Sequence, residues 1–455
     1  MPKPSNNSEI ATFLAAHPDT KYIDAFIFDL CGFPLGKRYP IQDIDKLYAD
    51  GLTMCAAVSL LDATGNTSDP MGLGVSDGDP DALALPIPGT LAPVTWASEP
   101  TAQVLLEMRL PQTGDIVPFE PRQVLRRVVD RFADLNITPV VALELEFYLI
   151  DMDRTQDGGP LPVKSPLTGR TARANQVYSI EALEEYAPIL TAITDACAAQ
   201  GVPASIASGE FAPGQFELNL THVADAMAAA DHACLLRRTV RAVARTFGME
   251  ATFLSKPFLE ESGSGLHVHM SFCDKDGHNI FHEETDTDEV QMRRAMAGLQ
   301  AAMPESMAIF APNLNAFRRF APNLFVPVTL DWGYDNRSVA FRIPSGRGQA
   351  KRIEHRVAGA DANPYLALAS VLAGVHHGLS NKLEPMSEAR AGNAGEEVDP
   401  RLPLTIWHAL ERLQDAPILS DYLGADYVQM YKTVKENEFK DLLSAALPRE
   451  YDWYL

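Results

Sequence analysis

The sequence predicts an α+β fold, with strands clustered apart from helices rather than alternating with them. Three observations support this prediction. Strand-like runs dominate the first 115 residues, long helical patterns lie further along, and no internal repeat or low-complexity tract is found. A chain of 455 residues, 46 % of them hydrophobic, can bury a full core and is expected to form more than one domain.

The opening third of the chain is predicted to be a small, mostly β domain spanning residues 1–115. The segment KYIDAFIFDLCGFPLGKRYP suggests two short strands around a turn that contains Gly32, and TAQVLLEMRL suggests another strand. Between them, residues 51–89 are rich in Asp, Gly and Pro, which is typical of turns and loops.

Residues 116–455 are predicted to form a second, larger domain. The segment EPRQVLRRVVDRFADLN carries one apolar stripe with Pro121 in its first turn, which predicts a helix. A strand follows at VVALELEFYLI, and a Gly-, Pro- and Thr-rich loop is expected at 157–170. Further helices are predicted over 222–248, where Gly248 ends the helix, and over 289–302, 363–379 and 403–415.

Composition excludes several classes of protein. There are 38 basic and 60 acidic residues, a net charge of −22, which disfavours a nucleic-acid binder because such proteins need a basic surface. The five cysteines form no CxxC pair, which is typical of reduced thiols in the cytoplasm. We find no signal-peptide pattern and no apolar run of roughly 20 residues, so we expect a soluble, cytoplasmic protein without a membrane contact.

Two glutamates in VVALELEFYLI are energetically anomalous. Glu144 and Glu146 lie two residues apart in an otherwise apolar strand, so they share a face about 6.8 Å apart. An unpaired carboxylate in such a strand costs several kcal/mol. The partner is therefore expected to be cationic: a Lys or Arg side chain, a substrate or a metal ion.

Four other stretches repeat this pattern of charged residues within apolar strands. They are SGEFAPGQFELNL with Glu210 and Glu217, SGSGLHVHMSF with His267 and His269, NRSVAFRIP with Arg337 and Arg342, and KRIEHR with Arg352, Glu354 and Arg356. Any one of them alone is more typical of a structural ion pair or a polar strand face. Their joint occurrence predicts one polar cavity lined by a curved sheet.

The donor types in this predicted cavity favour metal-assisted phosphoryl transfer. Five glutamates and one histidine make six hard or borderline ligands, which suit two divalent ions with oxygen-rich shells, such as Mg²⁺ or Mn²⁺, better than a thiolate zinc site. Several arginines accompany them, and metals and guanidinium groups together neutralise phosphate oxygens. The chain has no Walker A motif and no kinase glycine-rich loop, so a nucleotide would be bound in an unrelated way.

From about residue 20 to the C-terminus, the chain resembles the glutamine synthetase superfamily. The motifs ELEFYL, EFAPGQFELN, GSGLHVHMSF, NRSVAFRIP, KRIEHR and DANPYLALAS occur in that family's order and spacing. LLDATGNTSDPMGLG resembles the γ-glutamylpolyamine and γ-glutamylputrescine synthetase branch. The resemblance implies an N-terminal β-grasp domain, a catalytic domain with a curved antiparallel sheet, and active sites between neighbouring subunits of stacked hexameric rings, commonly dodecamers.

The resemblance also implies roles for individual residues. Ligands of a first metal ion are Glu146, Glu210 and Glu217, and ligands of a second ion, which bridges nucleotide phosphates, are Glu144, His267 and Glu354. ATP contacts are His269, Ser271 and Arg352. Glutamate contacts are Glu146, Gly263, Arg319 and Arg356, and the arginines that stabilise phosphoryl transfer are Arg337 and Arg342. Two to three ions per active site and ATP as co-substrate are implied.

The implied reaction is ATP-dependent ligation of an amine to glutamate through a γ-glutamyl phosphate, in amine catabolism. In RRFAPNLFVP, Phe325 stands where glutamine synthetases place a glutamate that helps to bind ammonium, so we predict a polyamine or diamine such as putrescine as acceptor. Asp62 is the candidate carboxylate for that amine. Three alternatives remain: a monoamine such as methylamine or ethanolamine, ammonia as in an authentic glutamine synthetase, and a catalytically inactive structural or regulatory homologue.

Overall fold

A computed structural model describes residues 6–171, 174–282, 286–446, 450, 451 and 453. Strands within these residues are β1 (Tyr22–Phe28), β2 (Pro34–Pro40), β3 (Leu52–Cys55), β4 (Asp81–Pro86), β5 (Ala92–Val94), β6 (Thr101–Arg109), β7 (Thr138–Arg154), β8 (Pro160–Pro162), β9 (Ala204–Gly209), β10 (Gln215–Leu220), β11 (Met249–Thr252), β12 (Leu266–Cys273), β13 (Trp332–Tyr334), β14 (Phe341–Ile343) and β15 (Ile353–His355). Helices are α1 (Asn6–Ala16), α2 (Ile44–Asp50), α3 (Pro121–Asp130), α4 (Ile180–Glu185), α5 (Ala187–Ala199), α6 (Ala226–Thr246), α7 (Asp286–Phe310), α8 (Leu314–Phe317), α9 (Pro364–Ser380), α10 (Ile406–Gln414), α11 (Pro417–Leu419) and α12 (Ala425–Ser444).

The N-terminal strands form one sheet, in the order β2-β1-β6-β4-β3, with β5 also paired to β6. β1 and β2 form the predicted hairpin, and Gly32 in its turn has φ +76°, a conformation that favours glycine. β1 pairs with β6 in parallel, while β4 and β5 are antiparallel to β6. The β-grasp assignment and the domain boundary near residue 115 stay predictions, and the extreme ends of both predicted domains lie outside the described residues.

The larger sheet positions the charged residues singled out in the sequence. Its order is β13-β14-β15-β12-β7-β10-β9, and β8 and β11 pair with the second half of β7. The long strand β7 lies in the middle of this order, and its side chains are therefore buried along nearly its whole length. β10 and β12 pair with β7 in an antiparallel arrangement, and β15 pairs with the far side of β12. The polar faces of these four strands therefore lie beside one another.

Helices pack against this larger sheet and against each other. α9 is apolar on all faces and is almost entirely buried, as expected for a helix inside the core. It packs closely on α7, where a Cβ at Gly298 would lie 2.0 Å from the carbonyl oxygen of Gly374. Within the described residues, no helix is long and apolar enough to cross a membrane.

Several predicted helices have different bounds in the structure. The helix predicted from residue 222 begins at Ala226, because the Asp225 side chain accepts hydrogen bonds from the amides of Met227 and Ala228 and so caps the helix there. The helix predicted at 289–302 continues to Phe310, with Pro304 inside it. Seven of the described helices were not predicted from the sequence: α1, α2, α4, α5, α8, α11 and α12. The short strand β8, which lies in the predicted 157–170 loop, was not predicted either.

Candidate active site

Glu144, at the centre of β7, is the hub of a polar cluster. Register places it opposite His267 on one side and opposite Asn219 on the other. One carboxylate oxygen lies 2.9 Å from His267 Nδ1, and the other lies 3.1 Å from His269 Nε2. The Asn219 amide donates to that second oxygen at 2.5 Å. The partners of Glu144 therefore come from both neighbouring strands, β10 and β12.

Glu146 is held mainly by neutral donors. Its Oε2 accepts a hydrogen bond from the Gly265 amide at 2.9 Å and a long one from the Gln215 side chain at 3.5 Å. Its Oε1 lies 3.7 Å from His267 Nε2. His267 thus stands between the two glutamates of β7, with one ring nitrogen towards each.

Glu217 and Glu210 lie close to other carboxylates and, among the described residues, neither is in an ion pair. Burial, together with the negative charges of Glu144, Glu146 and Glu210, raises the pKa of Glu217 to about 11. Burial and Glu146 raise the pKa of Glu210 to about 7. Glu217 accepts hydrogen bonds from two neutral donors, Ser208 Oγ at 3.4 Å and Asn219 Nδ2 at 3.2 Å. The negative charge of Glu210 is compensated only in part, by the charges of His267 and Arg337.

Glu354 on β15 is the opposite case, because two arginines pair with it. Arg342 on β14 donates to one oxygen at 2.6 Å, and Arg356 donates to the other. Burial alone would raise the pKa of Glu354, but Arg356 and the nearby histidines His269 and His267 outweigh it and lower the pKa to about 2. Glu354 is therefore held as a carboxylate at the edge of the cluster.

Two of the three groups in which potential metal ligands lie within 4.8 Å of one another, among the described residues, share Glu144: Glu144, Glu217 and His267, and Glu144, His269 and Glu354. The predicted division gave Glu217 to the ion of Glu146 and left His269 as an ATP contact, and that division stays a prediction. In the structure Glu217 and His269 both lie close to Glu144, because β10 and β12 flank it. Carboxylate and imidazole donors around under-compensated buried carboxylates fit divalent cations such as Mg²⁺ or Mn²⁺.

The other predicted ATP and phosphate contacts lie around this cluster. Arg352 Nε donates to His269 Nδ1 at 3.2 Å, which orients that ring towards Glu144. Ser271 follows His269 on the same face of β12 and is buried. Arg337 is exposed in the turn before β14, and its charge acts on Glu210. Together these residues put positive charge at the rim of a negative site.

The predicted glutamate-binding residues Arg319 and Gly263 pack directly on each other. A Cβ at Gly263 would lie 2.7 Å from Arg319 Cγ. Arg319 is only 1 % exposed; its guanidinium donates to the carbonyl of Val357 at 2.9 Å, and its Nε has no partner in the described structure. Arg319 therefore lies beside the backbone of Val357, the residue that follows Arg356. A contact between Arg319 and glutamate stays a prediction.

The two predicted acceptor residues lie in different surroundings. Phe325 is 71 % exposed in the loop between α8 and β13. Asp62 is 4 % exposed in the N-terminal domain, where its Oδ1 accepts hydrogen bonds from the Thr64 amide, the Thr64 hydroxyl and the Asn66 amide. Among the described residues, no hydrogen bond or ion pair joins Asp62 to the Glu144 cluster. A role for Asp62 at that cluster stays a prediction.

Sequence reasoning missed three neighbours of the cluster. Gln215 and Asn219 lie on the same face of β10 as Glu217, so the period-two pattern that revealed the glutamates could have revealed them. His222 packs edge-on against the His269 ring at 6.0 Å, and burial lowers its pKa to about 4. It follows β10 in a loop, where no periodic pattern indicates it.

Comparison with known proteins identifies the family. The family model described as glutamine synthetase, catalytic domain, matches residues 118–454. The chain belongs to the glutamine synthetase family. As a member of this family it is 38 % identical to γ-glutamylputrescine synthetase PuuA of Escherichia coli, over 98 % of this chain and 94 % of that protein.

The chain is also similar to a second named enzyme in sequence and to a solved structure in fold. The chain is 31 % identical to γ-glutamylethanolamide synthetase GlnA4 of Streptomyces coelicolor, over 94 % of this chain and 90 % of that protein. A solved GmaS/ADP complex matches with a TM-score of 0.82 at 24 % identity, covering 98 % of this chain and 99 % of that one. The glutamine-synthetase-type α+β fold predicted from the sequence is confirmed.

Proposed function

We propose that this protein joins the γ-carboxylate of glutamate to one amino group of a diamine such as putrescine, with ATP as the phosphoryl donor. The broader class, an ATP-dependent glutamate–amine ligase, is confirmed by the family and by relatives named as a γ-glutamylputrescine synthetase, a γ-glutamylethanolamide synthetase and a glutamate–isopropylamine ligase. The observation that carries the chemistry is the pair of donor groups that share Glu144.

The residues present account for phosphoryl transfer from ATP. Glu144 with Glu217 and His267, and Glu144 with His269 and Glu354, would hold divalent ions, which neutralise phosphate oxygens when bound. Arg342 is fixed by Glu354 at the edge of the cluster, and Arg337 lies exposed nearby. Both guanidinium groups would stabilise the charge that develops on the transferred phosphoryl group.

Amide formation then needs a neutral amine. We assign to Asp62 of a neighbouring subunit the binding of the ammonium form and the acceptance of the proton that it loses to become a neutral amine. The amine nitrogen then forms a C–N bond with the γ-carbon as the C–O bond to phosphate breaks, and the second proton leaves the nitrogen with the departing phosphate. Phe325 offers an exposed apolar surface on which an alkyl chain can pack, where a carboxylate would favour ammonium.

Three further parts of the proposal follow from the family resemblance and the cysteines. We propose a homo-oligomer, a dodecamer of stacked hexameric rings, because the resemblance to the glutamine synthetase superfamily implies active sites between neighbouring subunits. We propose two to three Mg²⁺ or Mn²⁺ ions per active site. All five cysteines are free thiols, which is typical of a reducing compartment such as the cytoplasm.

The test is a phosphate-release assay with ATP, Mg²⁺, glutamate and a panel of amines. Putrescine is expected to support turnover at concentrations where ethanolamine, methylamine and ammonium give little, and omission of glutamate serves as the control. A higher kcat/KM for ethanolamine would favour the monoamine alternative, which the 31 % identical ethanolamide synthetase supports. Equal turnover with ammonium would indicate a glutamine synthetase, and no release with any amine would indicate an inactive homologue.

A further inference from the structure

The loop that carries Asp62 is attached to the C-terminal helix. Glu438 on α12 accepts a hydrogen bond through Oε1 from the backbone amide of Ala63, at 2.9 Å. This bond joins residues that are 375 positions apart in the sequence. The residue directly after Asp62 is thus fixed by a side chain of the catalytic domain.

Glu438 is itself held from two sides. The Lys435 ammonium donates to both of its carboxylate oxygens, at 3.0 and 2.9 Å, and Lys435 is 4 % exposed. The Cys31 thiol lies 3.4 Å from Oε1 of Glu438 and 3.9 Å from the carbonyl of Leu61. A partly buried, paired carboxylate that accepts several hydrogen bonds has little freedom to move.

The loop beyond this attachment is a tight turn built around one oxygen of Asp62. The Gly65 amide donates to the Asp62 carbonyl at 3.0 Å, which closes a turn with Ala63 and Thr64 at its centre. Oδ1 of Asp62 accepts all three hydrogen bonds from Thr64 and Asn66. Among the described residues, Oδ2 of Asp62 accepts no hydrogen bond, so the turn leaves one oxygen of the carboxylate for another partner.

We propose that Glu438 is a positioning residue for the acceptor amine: it fixes the loop at Ala63 and so sets the direction of Asp62 Oδ2. This inference rests on the proposed role of Asp62 in the acceptor site. Glu438 does not contact the amine. Its loss lets the loop shift, which weakens amine binding and leaves the ATP and glutamate sites of the large sheet unchanged.

A second ion pair on the same helix provides a matched comparison. Lys432 and Glu436 are paired at 2.7 Å, and in the described structure neither makes a hydrogen bond or an ion pair with the 61–66 loop. Both pairs lie on α12, so a general effect of helix charge or helix stability applies to both. An effect specific to the amine is expected only at Glu438.

The first experiment compares two double variants that both remove the buried ammonium. Lys435→Met with Glu438→Gln keeps a hydrogen-bond acceptor for the Ala63 amide, whereas Lys435→Met with Glu438→Met removes it. The second is expected to raise the KM for putrescine about tenfold relative to the first, because it removes the hydrogen bond that attaches the loop to α12 at Ala63. The KM values for ATP and glutamate are expected to be equal in both, and Glu436→Gln is expected to match the wild type.

Ala63→Pro tests the same bond from the other side, without touching α12. Proline removes the amide hydrogen and is favoured at this position of a type I turn, so the loop is expected to fold. Ala63→Ser keeps the amide and is the control. A rise in the putrescine KM with Ala63→Pro, absent with Ala63→Ser, supports the proposal even if the methionine variant does not fold.

Two outcomes separate this inference from the proposed function. If Asp62→Asn leaves the putrescine KM unchanged, the assignment of Asp62 is wrong, and the positioning role of Glu438 is overturned with it. If Asp62→Asn raises that KM but Ala63→Pro and the methionine variant do not, only the positioning role is overturned. Equal increases in the KM for all three substrates also overturn it, because they indicate a general structural effect.

Discussion

Two regions of the molecule hold carboxylates that are largely shielded from solvent, and the negative charge of these carboxylates is compensated differently in each region. In the large sheet, Glu210 and Glu217 face other acids and, among the described residues, neither is in an ion pair, although the charges of His267 and Arg337 act on Glu210. Beside the 61–66 loop, Glu438 is paired with Lys435, and Asp62 Oδ1 accepts three hydrogen bonds. Incomplete compensation of negative charge therefore marks the region where we propose that ions bind, while completed pairing marks the scaffold that orients other groups.

The strongest test of this comparison is Glu217→Gln. In the metal-free protein at pH 8 the substitution is expected to stabilise the fold by about 1 kcal/mol or more, because burial and neighbouring acids disfavour the Glu217 carboxylate. With Mg²⁺ and substrates, turnover is expected to fall by about 100-fold, because a metal ligand is lost. Urea unfolding in the presence of a chelator and phosphate release with Mg²⁺ measure the two effects.

Glu354→Gln is the matched control, since this glutamate is also a predicted ligand but is already paired with Arg342 and Arg356. Its turnover is expected to fall comparably, whereas its metal-free stability is expected to decrease because the two buried arginines lose their counter-charge. Stability changes of the same sign in both variants would contradict the distinction between compensated and uncompensated carboxylates.

Addition of metal is the next test. Mg²⁺ or Mn²⁺ at about 100 times its Kd is expected to stabilise the wild type by about 2.7 kcal/mol, because the ion binds only the folded arrangement of carboxylates. Thermal unfolding with and without a chelator measures this shift. Asp62→Asn should keep the full shift and Glu217→Gln should lose most of it; an equal shift in both would place the ion elsewhere.

Phe325→Glu tests the acceptor side of the comparison. A carboxylate at this exposed position is expected to raise kcat/KM for ammonium about tenfold and to lower it for putrescine, because charge then favours the small cation over packing of an alkyl chain. Phe325→Leu keeps an apolar surface and is the control. Unchanged ammonium use in the Glu variant would show that Phe325 lies outside the acceptor site.

The sequence predicted strands and faces well where polar residues recur at period two in an apolar run. The strand at Val140–Ile150 lies inside β7, and His267 and His269 share a face of β12 as predicted. Helices with a weak apolar stripe were missed: α12, for example, is rich in Lys, Glu and Asp, and only tertiary packing buries one side of it.

Pairings between distant segments could not be predicted from the sequence. Period-two spacing shows that Glu144 and Glu146 share a face, but only the register of β10 and β12 shows that Glu144 serves both donor groups. In the same way, no local pattern indicates that Glu438 reaches the amide of Ala63. Strand neighbours and domain contacts depend on the whole chain, so the sequence identified candidate donors without their partners.

Asp29 sharpens the comparison from within the scaffold region, with the smallest expected effect. Its Oδ1 accepts hydrogen bonds from the amides of Cys31 and Phe33, but burial raises its pKa from 3.8 to about 7. Between pH 4 and 7 the folded protein therefore holds a proton that the unfolded chain releases, and stability contributed by this group is lost as pH rises. Asp29→Asn keeps the acceptor and has no such titration, so its unfolding free energy relative to the wild type is expected to be about 1 kcal/mol higher at pH 6 than at pH 5. Urea unfolding at both values, with a chelator present, measures the difference, and Asp19→Asn on the exposed surface is the control; a constant difference would mean that the scaffold region holds Asp29 as a carboxylate throughout.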